Sequence, residues 1–103
     1  MSSRLRDLAE LDRVIHEPAR LTIVTLLYAV KEADFLYVQR ETGLTKGNLS
    51  SHLARLEESA YIRMEKTYKG KLPLTLLTLT PAGRTAFERY RETLRQALSA
   101  DSG

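Results

Sequence analysis

A chain of 103 residues, 43% hydrophobic and 28% charged, has room for one domain around one core and the composition of an ordinary globular protein. It contains no cysteine, which excludes a disulfide framework and a thiolate metal site, and no apolar run approaches the roughly 18 residues that span a bilayer. The net charge of +3 is too small to make the whole chain a polycation, so any surface for a polyanion has to be local.

In chain order, the first seven residues lead into charged sequence and not into an apolar signal region, so a cytoplasmic protein is expected. Leu5, Leu8, Leu11 (or Asp12) and Ile15 recur at helical spacing and predict a short amphipathic helix over residues 5–15. Pro18 cannot continue that helix but suits the first turn of the next. The second helix carries Leu21, Val24, Leu27, Tyr28 and Lys31 before Asp34 breaks the pattern; its broad apolar stripe marks it as central to the core. From Phe35 two turns of helix run to Gly43, a residue suited to the left-handed conformation at a helix end. Leu44 makes a turn and Thr45 supplies a hydroxyl cap for a further helix over residues 46–59, with Leu49, Leu53 and Leu56 on one face. Helix, short turn and helix together are the helix-turn-helix pattern.

Residues 61–68 alternate Ile62, Met64 and Tyr68 with Arg63, Glu65 and Thr67, as a half-buried strand does. Lys69-Gly70-Lys71 is a charged turn, and residues 74–80 form a second strand preceded by Pro73, where a missing N–H is tolerated. Thr80-Pro81 then caps and opens the last helix. Phe87, Tyr90, Leu94 and Leu98 form a narrow seam along it. Such a seam is either core or a contact for a second chain. Four other elements already bury the core, so the second chain is favoured, with Leu8, Leu11 and Ile15 of the first helix lying against the partner's last helix.

The charge is unevenly placed. Residues 45–72 hold six Lys/Arg against three Asp/Glu, whereas residues 1–44 hold six against seven. A local cluster of this kind is what phosphate neutralisation needs. With Leu49, Leu53 and Leu56 of the helix over residues 46–59 turned inward, Lys46, Gly47, Asn48, Ser50, Ser51 and Arg55 face outward beside the capping Thr45. Short polar and long cationic side chains near a helix N-terminus reach base edges and phosphates. Lys66, Lys69 and Lys71 add charge on the hairpin.

The run Gly43-Leu44-Thr45-Lys46-Gly47-Asn48-Leu49-Ser50-Ser51-His52-Leu53-Ala54-Arg55-Leu56 resembles the recognition helix of MarR/ArsR-type winged-helix regulators. Leu79-Thr80-Pro81-Ala82-Gly83-Arg84 resembles the junction between wing and last helix in the same group, and the likeness covers about residues 10–98. The resemblance implies a mainly α fold with a small β-hairpin: a winged helix-turn-helix with an additional C-terminal dimerisation helix. Its parts are expected at residues 35–59 (helix-turn-helix), 61–80 (wing) and 81–99 (dimerisation helix) of a single unit spanning residues 1–103. It further implies a homodimer that binds double-stranded DNA and regulates transcription. Two departures stand out: Ala60 occupies a position where the family usually has glycine, and Leu72 and Leu74 replace arginines common in related wings.

His16 and His52 form no metal-ligand pair, and His52 reads as a packing, hydrogen-bonding residue. Tyr28, Phe35, Tyr37 and Tyr61 read as core before they read as a ligand pocket; no cofactor is implied, no effector is identified and no membrane partner is expected. No nucleophile–base arrangement or phosphate loop is present, so an enzyme is not expected. The competing function is a winged helix that contacts protein instead of DNA through outward-facing Leu72, Leu74 and Leu76 of the wing.

Overall fold

The computed structural model describes residues 2–99, with side chains from residue 5 onward. At its centre is α2 (Pro18–Val30). The Glu17 side chain accepts the Arg20 N–H at 2.8 Å, Pro18 takes the first helical position, and Ile23, Val24 and Leu27 are completely buried. Against α2 pack α3 (Phe35–Thr42), α4 (Lys46–Glu58) and α5 (Pro81–Leu98), while α1 (Ser2–Asp7) lies against α5 of the same chain. Strands β1 (Glu32–Asp34), β2 (Ile62–Lys69) and β3 (Leu72–Leu79) form an antiparallel sheet in the order β1-β3-β2.

The sheet has one strand more than the expected hairpin. After α2 the chain passes through Lys31 at a φ of 71°, and Ala33 pairs with Leu77. A three-residue strand shows no readable alternation, so only its partner on β3, more than 40 residues away, reveals it. With β3 in the middle, Leu77 and Leu79 are buried, while Leu72 and Pro73 lie exposed at the far end of the hairpin.

The first predicted helix is also different. Helix α1 stops at Asp7, a single 3-10 turn covers Leu8–Glu10, and residues 11–17 are not helical. The cause is Asp12, whose Oδ1 accepts the N–H groups of Val14 and Ile15 at 2.9 and 3.1 Å. An aspartate that caps the backbone just ahead of itself offers it an alternative to the helical ladder. Leu11 and Ile15 are buried all the same, because the loop folds them inward.

The remaining helix ends follow their local chemistry. Asp34 caps α3 through the Tyr37 N–H (2.9 Å), Gly43 closes it at a φ of 74°, and Thr80 caps α5 through the Gly83 N–H (2.9 Å). Gly83 is confined by packing: a Cβ there would lie 2.2 Å from the Tyr61 carbonyl oxygen. The first turn of α5 therefore sits directly on the backbone that leaves α4.

The seam predicted on α5 is divided. Phe87 and Tyr90 are buried within the chain's own core, Leu94 is half-buried, and Leu98 is 68% exposed. The spacing is regular, yet one half of the helix is wrapped by its own domain. Phe87 and Tyr90, like Leu11 and Ile15, are thus already covered before any second chain arrives; Leu8 is half-buried.

Candidate nucleic-acid interface

The Thr45 hydroxyl accepts the Asn48 N–H at 3.1 Å and starts α4 at Lys46. Leu49, Leu53 and Leu56 are at most 1% exposed, which fixes the rotation of the helix about its axis. The opposite face follows from that constraint: Thr45, Lys46, Gly47, Asn48, Ser50, Ser51 and Arg55 are all exposed. Each is a short polar, glycine or long cationic residue, so the helix offers hydrogen-bonding groups with little bulk in the way. Arg55 lies 3.8 Å from Glu58 one turn on; this exposed pair is weak and yields readily to a stronger anion.

The wing lies beside the start of α4. Between them runs a groove of about 500 Å³ that brings Lys46 and Ser50 of α4 together with Lys66 and Tyr68 of β2. Helix and wing candidates thus converge on one concavity, although 16 positions or more separate them in the chain. Its floor is partly apolar, with Phe35 and Leu74, and Asp34 at one side has its carboxylate engaged in capping α3. Lys69 and Lys71 stand exposed on either side of Gly70, whose φ of 64° makes the tight hairpin tip. They do not line the groove and reach outward from the tip instead.

Behind the exposed face, His52 points into a polar contact. Arg20 Nη1 lies 3.1 Å from His52 Nδ1, while Arg20 Nε donates to the Val14 carbonyl at 2.6 Å. Because a guanidinium only donates, His52 Nδ1 accepts and its proton sits on Nε2. The Glu17 carboxylate, 3.8 Å from the same nitrogen, is a longer-range neighbour. At the other end of α4, the Tyr61 hydroxyl donates to Asp12 Oδ2. Burial, that hydrogen bond and the adjacent negative charge push the Tyr61 hydroxyl up to about 12, against a small opposing effect of Arg89, so it remains a proton donor at ordinary pH. Neither pair has a local sequence signal; the partners are 32 and 49 positions apart.

Among the described residues no group of three His, Asp or Glu side chains could hold a metal, and no helix is long and apolar enough to cross a membrane.

Residues 19–98 match the family model described as winged helix DNA-binding domain. The chain belongs to that family. An uncharacterized protein of Methanocaldococcus jannaschii is 34% identical over 79 residues, spanning 76% of this chain and 85% of the relative. Among solved structures, this winged-helix chain is similar to a transcriptional regulator homologue from Pyrococcus horikoshii OT3, with a TM-score of 0.87, 26% identity, and coverage of 95% of this chain and 96% of the other. A MarR-family transcriptional regulator from Silicibacter pomeroyi shares the fold, with a TM-score of 0.67 and 20% identity over 95% of this chain and 64% of its own. The family is that of a winged helix DNA-binding domain, and the fold is one shared with these regulators.

Proposed function

We propose that the protein is a homodimeric transcriptional regulator that reads double-stranded DNA in a sequence-specific way. It forms one winged-helix unit: a helix-turn-helix over residues 35–59, a wing over residues 61–80, and a C-terminal helix over residues 81–99 that holds the dimer. Helix α4 enters the major groove, Lys46, Asn48, Ser51 and Arg55 make the main contacts, and the wing tip meets phosphate. One observation carries this reading: an exposed polar and cationic face on α4, opposite three fully buried leucines, shares a groove with Lys66 of the wing. Such a regulator works where the chromosome is, which places it in the cytoplasm.

Selection of bound duplexes from a randomised pool tests the reading, with a palindromic site as the expected product. Arg55→Ala should weaken binding to the selected site by about 1–3 kcal/mol if the guanidinium reads a base. Unchanged affinity in both Lys46→Ala and Arg55→Ala sinks the assignment. Removing the charge of Lys69 or Lys71 should lower affinity alike on all sequences and reduce the salt slope by about one unit per contact. A loss confined to one sequence would show base reading at the tip instead.

The dimer is proposed at the end of the molecule formed by α1 and the last turns of α5, where Leu98 is 68% and Leu5 61% exposed and Leu94 is half-buried. Pairing this end across a two-fold axis hides both copies at once. It also lets two copies of α4 enter successive major grooves about 34–36 Å apart. Leu94→Glu should convert a dimer to a monomer in sedimentation; a monomeric parent at micromolar concentration removes the dimer from the proposal.

A second reading has its own observation. Leu72 is 58% exposed, and Leu36 and Tyr68 are more exposed still, so the rim of the groove has an apolar side that suits a protein partner. Binding through that rim would resist salt, whereas DNA binding falls steeply with it.

A further inference from the structure

The loop of residues 11–17 touches both halves of the molecule through polar side chains. Asp12 performs two tasks with one carboxylate: Oδ1 folds the loop by accepting the Val14 and Ile15 N–H groups, and Oδ2 accepts the Tyr61 hydroxyl. Tyr61 is the residue through which the chain leaves α4 and enters the wing. Its own N–H bonds the Leu56 carbonyl at 3.0 Å, and its carbonyl accepts the Thr80 N–H at 3.0 Å where α5 begins. At the far end of the loop, His16 Nδ1 lies 2.9 Å from the Tyr90 hydroxyl on α5. The loop is therefore pinned to the C-terminal helix at one end and to the exit of α4 at the other.

We propose that the Asp12–Tyr61 pair is a positioning clip that fixes the angle of α4 against the arm made by α1 and α5, and so sets the half-site spacing the dimer accepts. The inference rests on the DNA-binding dimer proposed above and goes beyond it, because neither residue is assigned a contact with DNA. A side-chain hydrogen bond to a carboxylate is directional, so it holds an angle that apolar packing alone leaves softer. Small rotations at the arm are carried out to the two copies of α4, where a displacement of one base pair is about 3.4 Å along the duplex axis.

The test uses the full chain and the palindromic duplex it selects from a randomised pool, together with versions lengthened or shortened by one base pair at the centre and a duplex with one half-site. The parent should prefer its own spacing by about tenfold or more, a difference of about 1.4 kcal/mol. In Tyr61→Phe and Asp12→Asn that preference should drop to about threefold or less, while affinity for the single half-site stays within about twofold of the parent. Tyr61→Phe removes only the hydroxyl, so it decides the matter if Asp12→Asn fails to fold. A spacing preference kept intact in Tyr61→Phe overturns the clip, as does a parallel loss on the single half-site, which would mark a merely structural role. If the parent selects no duplex, the DNA-binding reading itself fails and takes this inference with it; a parent that binds while its variants behave alike removes the clip alone.

Discussion

Helices α4 and α5 carry large apolar residues at the same spacing of three and four, yet the fold treats them differently. On α4 all three leucines are sealed, so the helix is completed within one chain and its other face is free for a ligand. On α5 the large side chains lose cover along the helix, from Phe87 and Tyr90 in the core, through half-buried Leu94, to exposed Leu98, although the small Ala97 beside it is buried. Periodicity identifies an apolar stripe; what covers the stripe depends on how far the rest of the domain extends. The first part of α5 lies against α2, where Tyr28 packs on Phe87 with ring centroids 4.9 Å apart and donates to Glu88. The last turns pass beyond α2; α5 also lies against α1, and Ala97 of its last turn is buried.

The largest effect expected from this contrast is at Leu53. Leu53→Ala empties a site that is 1% exposed and should cost about 2–5 kcal/mol of unfolding free energy, the range for buried leucine truncations. Leu98→Ala should leave the folding of the isolated chain within about 0.5 kcal/mol, because an exposed side chain forfeits little packing, while weakening self-association. Chemical denaturation at two protein concentrations separates these outcomes. Equal losses from both substitutions would erase the difference between the helices, and an unaltered dimer in Leu98→Ala would move the interface off this end of α5.

The same contrast shows what was legible in the sequence. Helix α4 could be read almost to the residue, because Thr45 starts it and Leu49, Leu53 and Leu56 set its face through local rules. The start of α5 was legible for the same reason, in Thr80 and Pro81. Of the wing leucines that alternation turns outward, only Leu72 is exposed; Leu74 and Leu76 are half-buried, Leu74 in the wall of the groove. The features that escaped depend on partners far along the chain. Strand β1 exists because β3 offers it an edge, and Asp12 meets Tyr61 only in the folded state. The first helix was misread because Leu8, Leu11 and Ile15 have helical spacing in a segment where Asp12 diverts the backbone. The candidate DNA-contacting face was legible as a list of residues on α4; its meeting with Lys66 in one groove was not.

The smallest expected effect lies at the turn that ends α4, and it compares the two helices of the helix-turn-helix. Helix α3 closes on Gly43 at a φ of 74°, whereas α4 closes on Ala60 at a φ of 63°. At the end of α4 the Ala60 N–H bonds the Glu57 carbonyl at 2.9 Å and the Tyr61 N–H bonds the Leu56 carbonyl at 3.0 Å. This is the Schellman arrangement, in which the left-handed residue is usually glycine. An alanine there brings its Cβ close to the following carbonyl, at a cost of about 1–2 kcal/mol. Glycine relieves that contact but gives the unfolded chain more freedom, which offsets about 0.4–1 kcal/mol of the gain. Ala60→Gly should therefore stabilise the protein by about 0.5–1 kcal/mol, seen as a rise of a few degrees in Tm. Its DNA affinity should stay within about twofold of the parent, because the hydrogen bonds that close the turn are backbone groups the substitution leaves in place. A Tm that falls would show that Ala60 packs usefully where it stands. A changed affinity would show instead that the stiffness of this turn, and with it the placement of Tyr61, contributes to how α4 is held.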